Sequence, residues 1–164
     1  QRRCGLWQLQ GAENLMKSII IYGSTHHGNT KKLVDAIVGK HQVEAVSIEN
    51  ADSIDLSAHE MIGLAAGIAF GKFYKRMEKF AESISSGSRV FLLYTCGNPS
   101  DGYVKSIART LASNGVRVVG SYGCKGYDTY GPFKLAGGIA KGQPTEEELI
   151  GAAAGYEKIS GGDR

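Results

Sequence analysis

Ile19-Ile20-Ile21-Tyr22-Gly23-Ser24-Thr25-His26-His27-Gly28-Asn29-Thr30-Lys31-Lys32-Leu33-Val34 is the stretch that decides how this chain is read. Three consecutive isoleucines leave no polar face, which is the pattern of a strand buried on both sides in a parallel sheet. The turn that follows is rich in glycine and hydroxyls, and it opens a helix whose apolar positions begin at Leu33 and Val34. Backbone N–H groups are unsatisfied at a helix N-terminus and the helix dipole is positive there, so this layout favours an anion. Taken alone, the motif also fits an ordinary strand-to-helix turn without a ligand.

The spacing narrows the choice of anion. Gly23 and Gly28 are separated as in a nucleoside-triphosphate loop, but that loop requires a lysine before its Ser/Thr, and position 29 is Asn. No G-x-G-x-x-G run is present to receive a pyrophosphate. A single phosphate monoester needs only amides, hydroxyls and the dipole, and each charge-assisted contact contributes roughly 1.5–3 kcal/mol. The adjacent His26 and His27 are poorly spaced to chelate one metal ion. An imidazole beside a phosphate dianion would instead favour its protonated form.

Tyr22-Gly23-Ser24-Thr25 followed by Gly28-Asn29-Thr30 resembles the flavodoxin phosphate signature, a strand followed by Ser/Thr-x-Ser/Thr-Gly-x-Thr. The resemblance covers most of residues 17–160. It implies FMN as cofactor, with Ser24, Thr25, His26, His27, Gly28, Asn29 and Thr30 around the phosphate. It also implies that Ala66, Gly67, Ile68 and Phe70 lie against one face of the isoalloxazine. Thr95, Cys96, Gly97 and Asn98 are then expected at the pyrimidine edge, with Tyr103 stacking on the ring. A peptide flip at Gly67 would give N5–H of the one-electron-reduced flavin a carbonyl acceptor, since glycine enters positive φ without penalty. A tight strand exit is the other reading of Gly67.

The rest of the chain reads as alternating strands and helices. Leu33, Val34, Ile37 and Val38 recur at helical spacing up to Gly39. Val43–Ile48 reads as strand two, Asn50–Leu56 as a short helix or loop, and Glu60–Ala66 as strand three. Lys72–Ile84 carries Phe73, Met77, Phe80 and Ile84 on one helical face. Val90–Tyr94 is strand four, Asp101–Asn114 a helix, and Val116–Tyr122 strand five. The last helix opens with Thr145-x-x-Glu148, a capping box. Five strands alternating with helices predict an α/β three-layer sandwich. Right-handed crossovers point to a five-stranded parallel sheet in the order 2-1-3-4-5. Flavodoxin has this order and carries FMN where the winding reverses.

At 164 residues and 42% hydrophobic content, the chain can bury one sizeable core. Residues 16–164 are expected to form one domain. Residues 1–15 lack periodicity and read as a tag or upstream extension before Met16. A net charge of +3 does not argue for nucleic acid, and no stretch reaches the length of a membrane span. Three cysteines, Cys4, Cys96 and Cys124, lack metal spacing and suit a reducing cytoplasm. Cys96 reads as a small strand-end residue. The long segment from Gly123 to Gly142 holds Lys125, Tyr127, Tyr130, Phe133 and Lys134. Loops of that length are usually functional. The Tyr127–Lys134 stretch is expected to dock a redox partner or cover the flavin, or else to pack on the sheet edge.

No catalytic acid, base or nucleophile stands out. The function expected is FMN-dependent electron carriage between redox proteins. An FMN-dependent NAD(P)H oxidoreductase acting on a quinone or other small acceptor is the alternative, and a flavin-free interaction module is the third.

Overall fold

The computed structural model describes residues 16–24, 28–126 and 142–161. The expectations for residues 1–15, for Thr25, His26 and His27, and for the Tyr127–Lys134 stretch fall outside these. The chain runs β1 (Ser18–Gly23), α1 (Asn29–Val38), β2 (Val43–Ser47), β3 (Met61–Ala69), β4 (Lys72–Phe73), α2 (Lys75–Ala81), β5 (Arg89–Cys96), α3 (Lys105–Ser113), β6 (Arg117–Lys125) and α4 (Glu146–Gly161). Short 3₁₀ turns occupy Ile48–Ser53, Leu56–Ala58 and Asp101–Val104.

Strands β2-β1-β3-β5-β6 form the parallel sheet in that order, so the expected arrangement holds once β4 is set aside. β1 lies between β2 and β3, with Ser18 opposite both Val43 and Met61. Ile19, Ile20 and Ile21 are wholly buried. Ile20 faces Leu33, Val34 and Ile37 of α1 and Ala152 and Tyr156 of α4, whereas Ile19 and Ile21 face Met77 of α2 and Ile107 and Leu111 of α3. Two helical layers thus cover the two faces that the isoleucine run left apolar. No helix among the described residues is long and apolar enough to cross a membrane.

Two expectations are corrected. The helix read from Lys72 begins at Lys75 and ends at Ala81. Strand three does not stop at Ala66 but continues to Ala69 and turns back as β4, pairing Ile68 with Phe73 and Ala69 with Lys72. Phe73 and Met77 did suit one buried face, and both are buried, but Phe73 reaches the core from a strand.

α4 is fixed at its start by the capping box. The Thr145 N–H donates to Glu148 Oε2 at 2.8 Å, and the Glu148 N–H donates to Thr145 Oγ1 at 3.3 Å. The other carboxylate oxygen accepts from the Lys125 N–H at 3.2 Å, tying the end of β6 to the same side chain. Further along, the Tyr156 hydroxyl donates to Ser18 Oγ at 2.9 Å, and His41 Nε2 donates to the Ala153 carbonyl at 3.2 Å. Thr145→Ala is expected to cost about 1 kcal/mol of stability, the usual worth of a cap, read as a lower urea midpoint at unchanged slope.

Candidate functional site

The winding reverses between β1 and β3: from β1 the chain moves to β2 on one side, then crosses to β3 on the other. In open α/β sheets the crevice beyond the carboxyl ends of the strands at this point is where ligands bind. β1 ends at Gly23, and the parallel pairing of β3 with β5 ends at Gly67 opposite Thr95.

α1 starts at this crevice. Gly28 occupies its N-cap at φ 64° and ψ 19°, the left-handed region, and a Cβ built there would meet nothing within 4 Å. Glycine adopts that conformation without strain and brings no side chain to cap the helix. The Ser24 hydroxyl oxygen is buried and has no hydrogen-bond partner among the described residues. Thr30 is 2% exposed, and its Oγ1 lies 3.0 Å from Oγ1 of Thr95, which is 5% exposed. Asn29 packs its amide on Gly126, where an added Cβ would approach Nδ2 to 2.8 Å. The Gly126 N–H donates to the Cys96 carbonyl at 2.9 Å. The exits of β5 and β6 therefore sit directly against the first turn of α1.

The hairpin built from β3 and β4 forms the second wall. Its two-residue turn is Phe70 at φ 50° and Gly71 at φ 72°. Two consecutive positive φ values are the hairpin geometry that follows the right-handed twist of strands. For Phe70 this costs about 1–2 kcal/mol of backbone strain. The turn leaves Phe70 81% exposed at its tip. A Cβ on Gly71 would come within 4.0 Å of Tyr103 Cε1, and the Tyr103 ring stands edge-on to Tyr94, with centroids 6.2 Å apart. Tyr74, just after β4, lies over Gly23, where an added Cβ would fall 2.8 Å from Cδ1. The hairpin thus connects the end of β1 to the segment that follows β5.

Gly67 lies inside β3 and has no positive φ; the glycine that does in this stretch is Gly71. Cys96 is buried and its thiol donates to the Cys124 carbonyl at 3.8 Å, so it behaves as a small packed residue. Burial, reinforced by Glu148, pushes the Cys124 thiol up to about 12, which keeps it protonated at neutral pH. Gly97 is half-buried and Asn98 exposed where β5 ends. Ser100 Oγ accepts from the Gly102 N–H at 3.3 Å, capping the turn that carries Tyr103.

Sequence reasoning missed Tyr74, Gly71 and the hydroxyl pair. The only signal for the hairpin was a two-residue gap between Ile68-Ala69 and Lys72-Phe73. Nothing local pointed to the Thr30–Thr95 contact, which spans 65 positions.

A flavodoxin-domain family model matches residues 19–119. The chain belongs to the flavodoxin family. An uncharacterised protein of Methanocaldococcus jannaschii is 35% identical to this flavodoxin-family chain over 137 residues, which is 82% of this chain and 91% of that protein. A solved flavodoxin from the domain Archaea superposes with a TM-score of 0.64 at 21% identity, covering 90% of this chain and 98% of its own. A flavoprotein from Lactobacillus acidophilus, solved in complex with FMN, superposes with a TM-score of 0.55 at 16% identity, covering 66% of this chain and 93% of its own. These likenesses to solved structures bear on the fold. The flavodoxin-family assignment rests on the family model.

Proposed function

We propose that this chain binds FMN noncovalently, with the phosphate at the N-terminus of α1, and carries electrons between redox proteins. The observation that carries the reading is the buried Ser24 hydroxyl at the end of β1, which has no partner among the described residues. A buried polar group left unsatisfied costs about 1–3 kcal/mol. A phosphate oxygen would satisfy it, and the positive end of the α1 dipole favours an anion there. Family membership supports a flavin as the bearer of that phosphate.

In this reading Ser24 and Thr30 supply hydroxyl donors, and Gly28 lets the backbone approach the anion closely. Thr25, His26, His27 and Asn29 surround the same group. Ala66, Gly67, Ile68 and the strained Phe70 cover one side of the ring. The backbone N–H groups of Cys96, Gly97 and Asn98 serve its polar edge, and Tyr103 helps to exclude water. Bound FMN supplies the one- and two-electron chemistry. Redox partners are expected to dock at the Tyr127–Lys134 stretch.

The absorbance spectrum of the purified protein tests the reading, followed by incubation with NAD(P)H. The expected result is a yellow protein, or a colourless one that turns yellow with FMN, that does not consume NAD(P)H steadily unless a reductase is added. Steady consumption without one would assign the chain to the NAD(P)H oxidoreductase alternative. A protein that takes up no FMN would contradict the proposal.

Ser24→Ala separates ligand binding from folding. Removing an unsatisfied buried hydroxyl is expected to stabilise the flavin-free protein by about 1 kcal/mol while weakening FMN about tenfold. Paired melting curves and fluorescence titrations would show both changes.

A further inference from the structure

Thr95 stands one residue from the end of β5, flanked in register by Gly67 of β3 and Cys124 of β6. Its side chain is on the face of the sheet that α1 covers, as the alternation from Leu93 requires. Strands on both sides fix its backbone, and branching at Cβ restricts its χ1. Its Oγ1 reaches 3.0 Å to Oγ1 of Thr30 in the first turn of α1, and both residues are buried. A Cβ placed on Gly67 would lie 4.0 Å from the same Thr95 Oγ1. One residue therefore joins the anion cradle, through its hydroxyl, to the strand that leads into the hairpin, through its backbone.

Two neutral hydroxyls share one proton in the bond between them, and either can be the donor. If Thr30 donates, its lone pairs face the helix N-terminus and repel an anion there. If Thr95 donates, the Thr30 proton is left to point outward, and the two O–H dipoles align and polarise one another. An anion selects the second arrangement.

We infer that Thr95 is a positioning residue for phosphate: it donates to Thr30 and so turns the Thr30 hydroxyl into a donor aimed at the anion. This rests on the FMN reading above and changes one part of it. Thr95 then acts through Thr30 rather than on the pyrimidine edge of the ring, where the family resemblance put it.

FMN and riboflavin, which differ only in the phosphate, are the probes. Each is titrated into flavin-free protein while the quenching of flavin fluorescence is followed. Thr95→Val keeps the shape and removes the hydroxyl, and is expected to raise the Kd for FMN about tenfold while the Kd for riboflavin stays unchanged. Thr95→Ser, which restores a hydroxyl, returns the FMN Kd to within about threefold of the parent. In a Thr30→Val background, Thr95→Val changes the FMN Kd less than about twofold, because the effect travels through Thr30. Thr95→Ala replaces the valine variant should that one not fold. Equal losses for FMN and riboflavin would mean a ring contact or a general structural role and would overturn the inference. So would an unchanged FMN Kd, or additivity with Thr30→Val. A parent protein with no preference for FMN over riboflavin would instead defeat the FMN reading itself.

Discussion

Gly63→Ala is expected to destabilise the protein by about 3 kcal/mol, the upper end of the usual cost of forcing one carbon into a full core. Gly63 lies within β3, in register with Ile20 of β1 and Phe91 of β5. The Phe91 ring lies across it, so that an added Cβ would collide with Cζ and fall 2.8 Å from Cε2, with Ile20 Cγ1 at 2.9 Å. The ring has nowhere to retreat: it is 1% exposed and meets Tyr156 of α4 edge-on, with centroids 5.6 Å apart. Displacing it therefore pushes α4 off the sheet and strains the Tyr156–Ser18 hydrogen bond. Urea unfolding followed by circular dichroism checks this. A loss below about 1 kcal/mol would mean that the core yields more readily than close-packed interiors do.

Thr30→Val is expected to weaken FMN by about 2 kcal/mol, roughly thirtyfold, through loss of a charge-assisted contact. It also leaves the buried Thr95 hydroxyl without the partner it has at 3.0 Å, so the flavin-free protein loses about 1–2 kcal/mol as well. Ser24→Ala is expected to move the stability of the flavin-free protein in the opposite direction, because the Ser24 oxygen has no partner among the described residues to lose. Two hydroxyls of one cradle thus share the sign of their effect on affinity and differ in the sign of their effect on folding. If both substitutions were to destabilise the flavin-free protein, the Ser24 oxygen would be engaged in folding and not held for a ligand. Thermal melts with and without FMN give both quantities.

The sheet was legible because its signals are local. Three isoleucines in a row have one explanation, burial on both faces, and all three are fully buried. The capping box was equally legible, since Thr145 and Glu148 need only each other and the helix backbone. The hairpin was hidden by its own composition. Asn-Gly or Asp-Gly would have marked a turn with two positive φ values, whereas Phe70 is a residue that rarely accepts one. Without that mark, Phe73 and Met77 merged into one apparent helical face. The place of Gly67 within a strand followed from the same omission. In the candidate site, spacing pointed to Ser24, Gly28 and Thr30, because a phosphate cradle is built from consecutive residues. It could not show that Thr95 reaches Thr30, or that Tyr74 covers Gly23, since those contacts exist only after β3 and β5 have taken their places beside β1.

The central claim is that the first turn of α1, with the Ser24 and Thr30 hydroxyls, grips a phosphate monoester. Comparing the affinities of the unmodified, flavin-free protein for FMN and for riboflavin tests it most directly. Two charge-assisted contacts at about 1.5 kcal/mol each predict that FMN binds at least about a hundredfold more tightly. Equal affinity for the two flavins, or binding of neither, would contradict the account.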